Sequence, residues 1–375
     1  MIKDIIFGFN VMNYFSFFST LYLFLPLIIK EYNLSNESIG TIGLFYSLGS
    51  VISGFSLSNY IEKSTKKNIL FKLIILSKIL FLILLIFIKN YLFLIFSVFM
   101  IGYLGASFIG SNISRSKNKG ITIGISSIGF IIGYLLGGII EDYQKMLLII
   151  CGLFTISLIL SFIIPPFNEG KTLIEEEKSN SLEILRQNWF IYLALFLRHT
   201  GAASIWMYFS YILLNYYHLN LYTIGILNTI NILVQTISNP IIYKVINKDN
   251  NTIFKIISIG YILSAIYFLF FPLFKDVWIL SILQVILGLS FTALYLGNIE
   301  YLSENNREKI ISITLVSSTF SFANSVGALI SVILIKKGYI WLFINGFILS
   351  LLSFALILLV NKNLKHKHYE KTIGV

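Results

Sequence analysis

The sequence predicts an all-α membrane protein whose twelve transmembrane helices form two pseudo-symmetric six-helix bundles. Hydrophobic residues make up 57% of the 375 residues and charged residues only 12%, whereas a soluble domain carries about 25% charged residues. Apolar stretches of roughly 20 residues, the length that crosses a bilayer as a helix, recur along the chain. The two halves of the chain also share short motifs at matching positions.

Short polar turns separate the apolar stretches, so consecutive spans must run antiparallel. The N-terminal stretch lacks a strongly basic region and a small-residue cleavage site and is too long for a signal peptide, which favours a retained first span. The predicted spans cover residues 5–29, 39–59, 69–88, 91–111, 120–140, 146–165, 189–214, 221–243, 254–272, 277–298, 310–335 and 339–360.

Basic residues orient the predicted bundle. With the N-terminus in the cytoplasm, most of the 28 Lys and Arg residues fall on the inside, as the positive-inside rule requires. The sequence therefore predicts a multi-pass protein of the cell (plasma) membrane with both termini cytoplasmic. The net charge of +11 then reflects orientation and contact with anionic lipid of the bilayer, and nucleic-acid binding has no further support.

Three short motifs indicate an internal duplication. They open or lie within corresponding spans of the two halves, about half the chain apart, which is the signature of a parallel six-plus-six repeat. The matching pairs are Ser38–Gly40 with Thr223–Gly225, Phe71-Lys72 with Phe254-Lys255, and Ile101-Gly102 with Leu287-Gly288.

The repeat and the polar segments set the predicted domain boundaries. A polar segment with an acidic run at Glu175–Glu177 follows Pro165-Pro166 near the midpoint of the chain. The predicted parts are an N-terminal six-helix bundle at 1–166, a cytoplasmic linker at 167–187, a C-terminal six-helix bundle at 188–362 and a cytoplasmic tail at 363–375.

Glycines in the fifth span predict close helix packing, because a glycine lets two helix backbones approach. With the six-plus-six repeat, their pattern resembles the fifth-helix glycine motif of the major facilitator superfamily, in which the position of Tyr134 is usually proline. Generic small-residue packing is the alternative explanation. The glycines are Gly129, Gly133, Gly137 and Gly138.

The loop after the second span resembles another signature of that superfamily, Gly-x-Leu-x-Asp-Arg-x-Gly-Arg. Ser58 or Asn59 stands at its acidic position, and its second glycine is missing. The resemblance covers about residues 1–360 and does not identify a subfamily. It implies that the third, sixth, ninth and twelfth helices lie at the lipid-facing periphery and that the others line a central cavity.

Carboxamide side chains mark the predicted substrate site, since a lipid-facing stripe of amides would be costly. Those of the eighth span recur at helical spacing on one face. Interhelical hydrogen bonds in a dry bundle are the alternative explanation. The predicted cavity lining consists of Asn13, Asn228, Asn231, Gln235, Gln284 and Asn324.

Arg198 is the most informative residue of the predicted site. It lies about ten residues, or about 15 Å at the helical rise, into the seventh span, near the midplane of a hydrocarbon core roughly 30 Å thick. A charge at that depth must face protein or water and marks a candidate functional site. Since no carboxylate lies deep in any predicted span, we expect Arg198 to bind an anionic substrate through its planar guanidinium; a structural or gating role is the alternative.

Two further basic side chains lie within predicted spans. His199 is the predicted proton-coupling residue, because histidine titrates near neutral pH; a purely structural histidine is the alternative. Lys78, midway along the third span, is expected to snorkel or to pack inward.

These features, together with the resemblance, predict a secondary active transporter that moves a small molecule by alternating access; the preference for efflux is implied by the resemblance alone. Facilitated uptake or exchange of a small organic anion and a non-transporting receptor are the alternatives. An enzyme is not expected, because the four histidines are scattered and a phosphate-binding glycine loop is missing. No metal or cofactor is expected. The expected partners are the lipid bilayer, a small-molecule substrate and H+ or Na+ as coupling ion, for a protein that acts as a monomer.

Overall fold

All regular secondary structure in the part of the chain that the structure describes is helical. The computed structural model describes residues 2–32, 38–88, 90–140, 142–163, 180–206, 208–209, 212–213, 216–219, 221–246 and 250–373. Nine helices within these ranges are long and apolar enough to cross a membrane. Pro165-Pro166 and the acidic run of the predicted linker lie outside the described residues.

The helices follow the apolar stretches of the sequence. In the N-terminal half they are α1 (Ile2–Glu31), α2 (Ser38–Phe55), α3 (Leu57–Lys63), α4 (Lys67–Phe87), α5 (Tyr91–Arg115), α6 (Lys119–Ile131), α7 (Gly137–Ile140) and α8 (Tyr143–Ile163). In the remainder they are α9 (Ser181–Gln187), α10 (Trp189–Trp206), α11 (Leu221–Val245), α12 (Asn250–Phe270), α13 (Val277–Asn305), α14 (Lys309–Ile335) and α15 (Ile340–Ile373).

The second predicted span consists of two helices, α2 and α3, which are separated at Ser56. The hydroxyl of Ser56 donates to the carbonyl of Ile52 at 2.7 Å and lies 3.1 Å from the hydroxyl of Tyr103. A serine that bonds back to the preceding turn competes with the helical hydrogen bonds and bends a helix, which accounts for the break.

The fifth predicted span is also interrupted. Between α6 and α7 the chain forms a π-helical turn at Ile132–Leu136, which contains Tyr134, the position at which the superfamily motif has proline. Both a proline and a π turn interrupt the regular α-helical hydrogen bonds. The glycine motif is therefore accompanied by an irregular helix even though the proline is missing.

Two helical segments extend into regions predicted as linker and tail. Helix α9 begins after Asn180, whose side-chain oxygen accepts from the amide of Glu183 at 3.0 Å, as an N-cap residue does. Helix α15 continues to Ile373, so the predicted tail at 363–375 is helical up to that residue. Its last turns contain Lys, Glu and Leu, which favour helix.

The chain divides into two compact units. Unit 1 comprises Met1–Arg186 and Asn306–Phe322, and unit 2 comprises Gln187–Asn305 and Ala323–Val375. The first part of α14 thus belongs to unit 1 and the second part to unit 2.

Unit 1 is organised around close helix pairs: α1 with α6, α2 with α5, and α4 with α8. Gly129 lies against the carbonyl of Met12, and a Cβ atom at Gly133 would overlap the hydroxyl of Ser19. These two glycines therefore allow α1 and α6 to approach closely. Gly137 is buried in the same stretch, and the surroundings of Gly138 lie outside the described part.

A charged cluster lies at the loop end of α3. The Glu62 carboxylate accepts a hydrogen bond from the backbone amide of Ile310, in the first turn of α14, and interacts electrostatically with Arg115. Its Oε1 lies 3.8 Å from Lys67 Nζ. A carboxylate at a helix N-terminus is favourable, so Glu62 supplies the acidic group in the signature loop where Ser58 and Asn59 do not.

Unit 2 is held together by α12, which packs on both α13 and α15, and by the pairs α10 with α15 and α11 with α13. A Cβ atom at Gly201 would lie 2.8 Å from the Cα of Gly346, so α10 and α15 cross in close contact. Aromatic side chains, including the stacked Phe271 and Phe343, fill the core beside this crossing.

Candidate functional site

Arg198 of α10 is enclosed within unit 2. Its side chain is 2% exposed, and its Nε donates to the hydroxyl of Ser264 on α12 at 2.7 Å. The Ser264 hydroxyl also lies 2.6 Å from that of Ser290 on α13, and the guanidinium carbon lies 5.9 Å from the Phe268 ring centroid. Within the described residues no carboxylate pairs with Arg198, so its positive charge is held by hydroxyls and aromatic rings.

The guanidinium retains an unused donor. Arg198 Nη2 is buried without a hydrogen-bond partner among the described residues, and so is the amide oxygen of Gln284. The amide nitrogen of Gln284 lies 3.4 Å from the Tyr267 hydroxyl, and the Tyr267 ring lies 5.3 Å from that of Phe268, the ring 5.9 Å from the guanidinium carbon. Buried polar groups are nearly always satisfied, so this cluster has a donor and an acceptor available for water or for a solute.

The neighbouring residue in the chain faces a different environment. His199 is partly exposed, and its Nε2 lies 3.1 Å from the side-chain oxygen of Asn324 on α14. Both residues are partly exposed, although the Nδ1 atom of His199 is itself buried. The structure thus brings two predicted site residues together, in a more accessible place than Arg198.

The carboxamides of α11 form a second polar group of unit 2. The Gln235 amide donates to the Asn231 side-chain oxygen at 2.8 Å, and both residues belong to the face predicted from their spacing. Asn228, one turn earlier, is partly exposed. Asn231 is buried, and its carbonyl lies 2.8 Å from the Cβ position of Gly288 on α13, so this face meets α13 closely.

Asn13 lies in unit 1, whereas the residues described above lie in unit 2. Its amide nitrogen donates to the carbonyl of Leu153 at 3.0 Å and to the hydroxyl of Ser157 at 2.9 Å, both on α8. The side chain is fully buried. This arrangement corresponds to the interhelical hydrogen bonding that the sequence left as the alternative to cavity lining.

Lys78 packs inward in unit 1. Its side chain is 0% exposed, and its Nζ lies 3.7 Å from the Phe108 ring centroid, 4.8 Å from that of Tyr14 and 5.4 Å from that of Phe154. Among the described residues the ammonium has no hydrogen-bond partner and no carboxylate partner. Cation–π contacts are therefore the interactions that hold it.

Sequence reasoning missed the residues of α12 that surround Arg198. The ninth span was assigned to the lipid-facing periphery, and its outer face is indeed exposed, but its inner face carries Tyr261, Ser264, Tyr267 and Phe268. Three of these four are polar and recur every three residues along α12. That spacing was the signal that could have identified them.

The described residues hold no group of three or more His, Cys, Asp or Glu side chains that could bind a metal ion. The side chains around Arg198 and His199 supply hydrogen-bond donors, hydrogen-bond acceptors and a positive charge. Such a site suits recognition of a solute.

Comparison with known proteins agrees with this description. The family model of the Major Facilitator Superfamily matches residues 6–299 and 191–373, and no curated protein matches the sequence significantly. The crystal structure of the human organic anion transporter MFSD10 has a TM-score of 0.76 to this chain at 12% sequence identity, covering 95% of this chain and 98% of that one. A bacterial homologue of the iron transporter ferroportin, in an outward-facing state, has a TM-score of 0.70 at 12% identity, covering 96% and 98%.

At such low identity these two structures show the fold alone, while the family match spans nearly the whole chain. The resemblance drawn from the sequence is confirmed, as is the expectation that the protein is a transporter and not an enzyme. The chain belongs to the Major Facilitator Superfamily and is a multi-pass membrane transporter.

Proposed function

We propose that this protein is a secondary active transporter that moves a small organic anion across the plasma membrane by alternating access. The observation that supports an anionic substrate is the unpaired Nη2 donor of Arg198, in a unit where no described carboxylate neutralises the guanidinium. A buried charge is costly without a partner, and an anion would supply one. A planar guanidinium with a free donor edge suits carboxylate or phosphate groups.

The accessible part of the proposed site is the His199–Asn324 pair. A solute that arrives beside His199 lies one residue along α10 from Arg198, and it would reach the guanidinium when the helices around it separate during the cycle. Asn228, Asn231 and Gln235 are proposed as further solute contacts from α11. Asn13 and Gln284, which are buried, are proposed to shape the site through the helix contacts that they make.

Coupling and topology complete the proposal. His199 is the proposed proton carrier, with H+ or Na+ as the coupling ion, and efflux is the proposed direction. The N-terminal bundle at 1–166, the linker at 167–187, the C-terminal bundle at 188–362 and the tail at 363–375 form a monomer of twelve spans with both termini cytoplasmic.

A two-stage experiment tests the substrate class. The purified protein is first screened by thermal shift against organic anions, neutral sugars, amino acids and cationic dyes, because a specific ligand stabilises the native state by mass action. Each compound that stabilises the protein is then assayed for flux in proteoliposomes with and without a pH or Na+ gradient. Stabilisation and flux by anions support the proposal, and a protein that binds and moves only cations or neutral compounds contradicts it.

A further inference from the structure

Arg198 and Gln284 contact the same face of α12, one helical turn apart. The guanidinium Nε of Arg198 donates to Ser264, and the amide nitrogen of Gln284 lies 3.4 Å from the hydroxyl of Tyr267. Ser264 and Tyr267 are three residues apart in the sequence, which corresponds to one helical face and to about 4.5 Å along the axis of α12. A basic group and a neutral amide are therefore held at neighbouring positions within unit 2.

Hydrogen bonds around Ser264 commit the other donors of this cluster. The hydroxyl of Ser290 donates to the carbonyl of Gly260 at 2.8 Å, so it must accept at its 2.6 Å contact with Ser264. The hydrogen of Ser264 then points to Ser290, and its oxygen accepts from Nε of Arg198. Because a hydroxyl carries one hydrogen, neither serine has a donor left for a solute. Arg198 Nη2, by contrast, has no hydrogen-bond partner among the described residues.

The unused atom of Gln284 is of the opposite kind. Its amide nitrogen faces Tyr267, and its Oε1 is buried without a hydrogen-bond partner in the described part of the chain. The whole side chain is 0% exposed. An amide oxygen accepts hydrogen bonds and cannot donate to the oxygens of an anion. It is satisfied by an N–H or O–H group, and a buried polar atom left without one is costly.

We infer that the solute of the Arg198 site is a carboxylate that carries a hydroxyl group close to its charged end. The carboxylate accepts from Nη2 of Arg198, and the hydroxyl donates to Oε1 of Gln284, so that both unsatisfied atoms gain a partner from one molecule. A simple carboxylate would leave the amide oxygen unpaired, and a neutral alcohol would leave the guanidinium without a counter-charge. The inference rests on the proposed function and makes Gln284 a specificity residue that acts by contact, in addition to its contact with Tyr267.

The test compares carboxylates with and without the hydroxyl group. Dissociation constants are measured by calorimetry on the purified protein for lactate and propionate, 3-hydroxybutyrate and butyrate, and mandelate and phenylacetate. Each anion that stabilises the protein in the thermal-shift screen joins the panel with its hydroxylated or deoxygenated counterpart. We expect the hydroxylated member of at least one pair to bind about tenfold more tightly, which is the size of one buried hydrogen bond.

Variants of Gln284 assign the preference to that side chain. Gln284→Leu removes the acceptor, so the hydroxylated acids should lose about tenfold in affinity while the deoxygenated ones bind as before. Gln284→Met, which keeps the length of the side chain, serves in the same way if the Leu variant does not fold. A purely structural role of Gln284 would weaken both members of a pair together.

Asn298→Leu is the matched control. Asn298 lies on the same helix as Gln284, is 0% exposed, and has a side-chain oxygen without a hydrogen-bond partner among the described residues. It is fourteen residues further along α13, a distance of about 21 Å at the helical rise. The control should keep the preference for hydroxylated acids, and a control that loses it as Gln284→Leu does would overturn the assignment to Gln284.

The outcomes separate this inference from the proposed function. A wild type that binds no anion of the panel overturns both. A wild type that binds anions without preferring any hydroxylated member overturns this inference alone, and water then satisfies the unpaired atoms. A preference that persists in the folded Gln284→Leu or Gln284→Met protein also overturns it, because the hydroxyl is then bound elsewhere.

Discussion

Arg198 and Ser264 are joined by a 2.7 Å hydrogen bond from the guanidinium Nε to the serine hydroxyl, across the contact of α10 with α12. The bond fixes one edge of the guanidinium and leaves Nη2 without a partner in the described residues. Ser264 therefore orients the group on which the proposed anion site depends.

Ser264→Ala should destabilise the protein and weaken anion binding together. Removing the acceptor leaves the buried Nε unsatisfied, which costs about 1–3 kcal/mol. The thermal midpoint of the detergent-solubilised protein, measured with and without an anion that stabilises the wild type, reports both effects. Ser350→Ala is the control, because the Ser350 hydroxyl donates only within its own helix, to the Gly346 carbonyl. Equal losses in the two variants would show that the Ser264 bond has no special role.

His199→Gln should separate substrate binding from proton coupling. Glutamine can retain a hydrogen bond to Asn324, which now lies 3.1 Å from the His199 ring, but it cannot bind a proton. We expect exchange of labelled substrate at equal pH on both sides to persist and accumulation driven by a pH gradient to disappear. Accumulation that survives in the Gln variant rules out His199 as the proton carrier.

Gly133→Val should disrupt the packing of α1 on α6. A Cβ atom at Gly133 overlaps the Ser19 hydroxyl, and overpacking of this kind costs about 1–3 kcal/mol. The thermal midpoint should fall accordingly. Gly152→Val on α8 is the matched control, because no atom lies within 4 Å of its Cβ position. Equal destabilisation of the two variants would show that the close approach of α1 and α6 at Gly133 does not account for the loss of stability.

Asp4→Asn should lower stability in a pH-dependent manner. Asp4 precedes the first predicted span, and its carboxylate accepts from the Ser116 hydroxyl and the Lys117 amide at 2.8 Å each. Burial raises the pKa of the Asp4 carboxyl, but the hydrogen bonds from Ser116 and from the amides of Asn118 and Lys117 lower it by more, so the net pKa lies below the ordinary 3.8. A carboxyl group whose pKa is lowered in the folded state contributes stability above its unfolded pKa, and this stability is lost as the pH falls through the folded pKa.

The wild type should therefore be more stable than Asp4→Asn at pH 7, by about 1 kcal/mol as for the loss of a helix cap. The difference in thermal midpoint should shrink as the pH falls below 3.8. Glu183→Gln, which removes an exposed carboxylate of α9, should show no such dependence. A constant difference between wild type and Asp4→Asn from pH 7 to pH 3 would contradict the assignment.

The sequence predicted where the helices lie better than it predicted which side chains of other helices they contact. Apolar length predicted most of the long helices, because a bilayer allows few other solutions, while the internal repeat indicated by short motifs stays a prediction. Local chemistry at Ser56 and near Tyr134 then broke two spans that hydropathy alone shows as continuous.

The candidate site was predicted only in part, for a physical reason. Hydropathy and spacing show which residues are polar at membrane depth, but they do not show which helix each side chain meets. Arg198 was identified because a charge is rare at that depth, whereas Ser264 is an ordinary residue that becomes important through one contact. In the same way, Asn13 is a polar residue of the type that lines a cavity, but its side chain forms a hydrogen bond to Ser157 on α8.

The central claim is that the free edge of the Arg198 guanidinium binds the anionic group of the solute, and direct binding to Arg198 variants tests it most closely. For an organic anion found in the thermal-shift screen, Arg198→Ala should abolish measurable binding while the protein stays folded, and Arg198→Lys should restore it only in part, because lysine lacks the planar fork. Lys337→Ala, which removes an exposed positive charge from unit 2, should bind like the wild type. Anion affinity and flux that are unchanged in a folded Arg198→Ala protein would contradict the account.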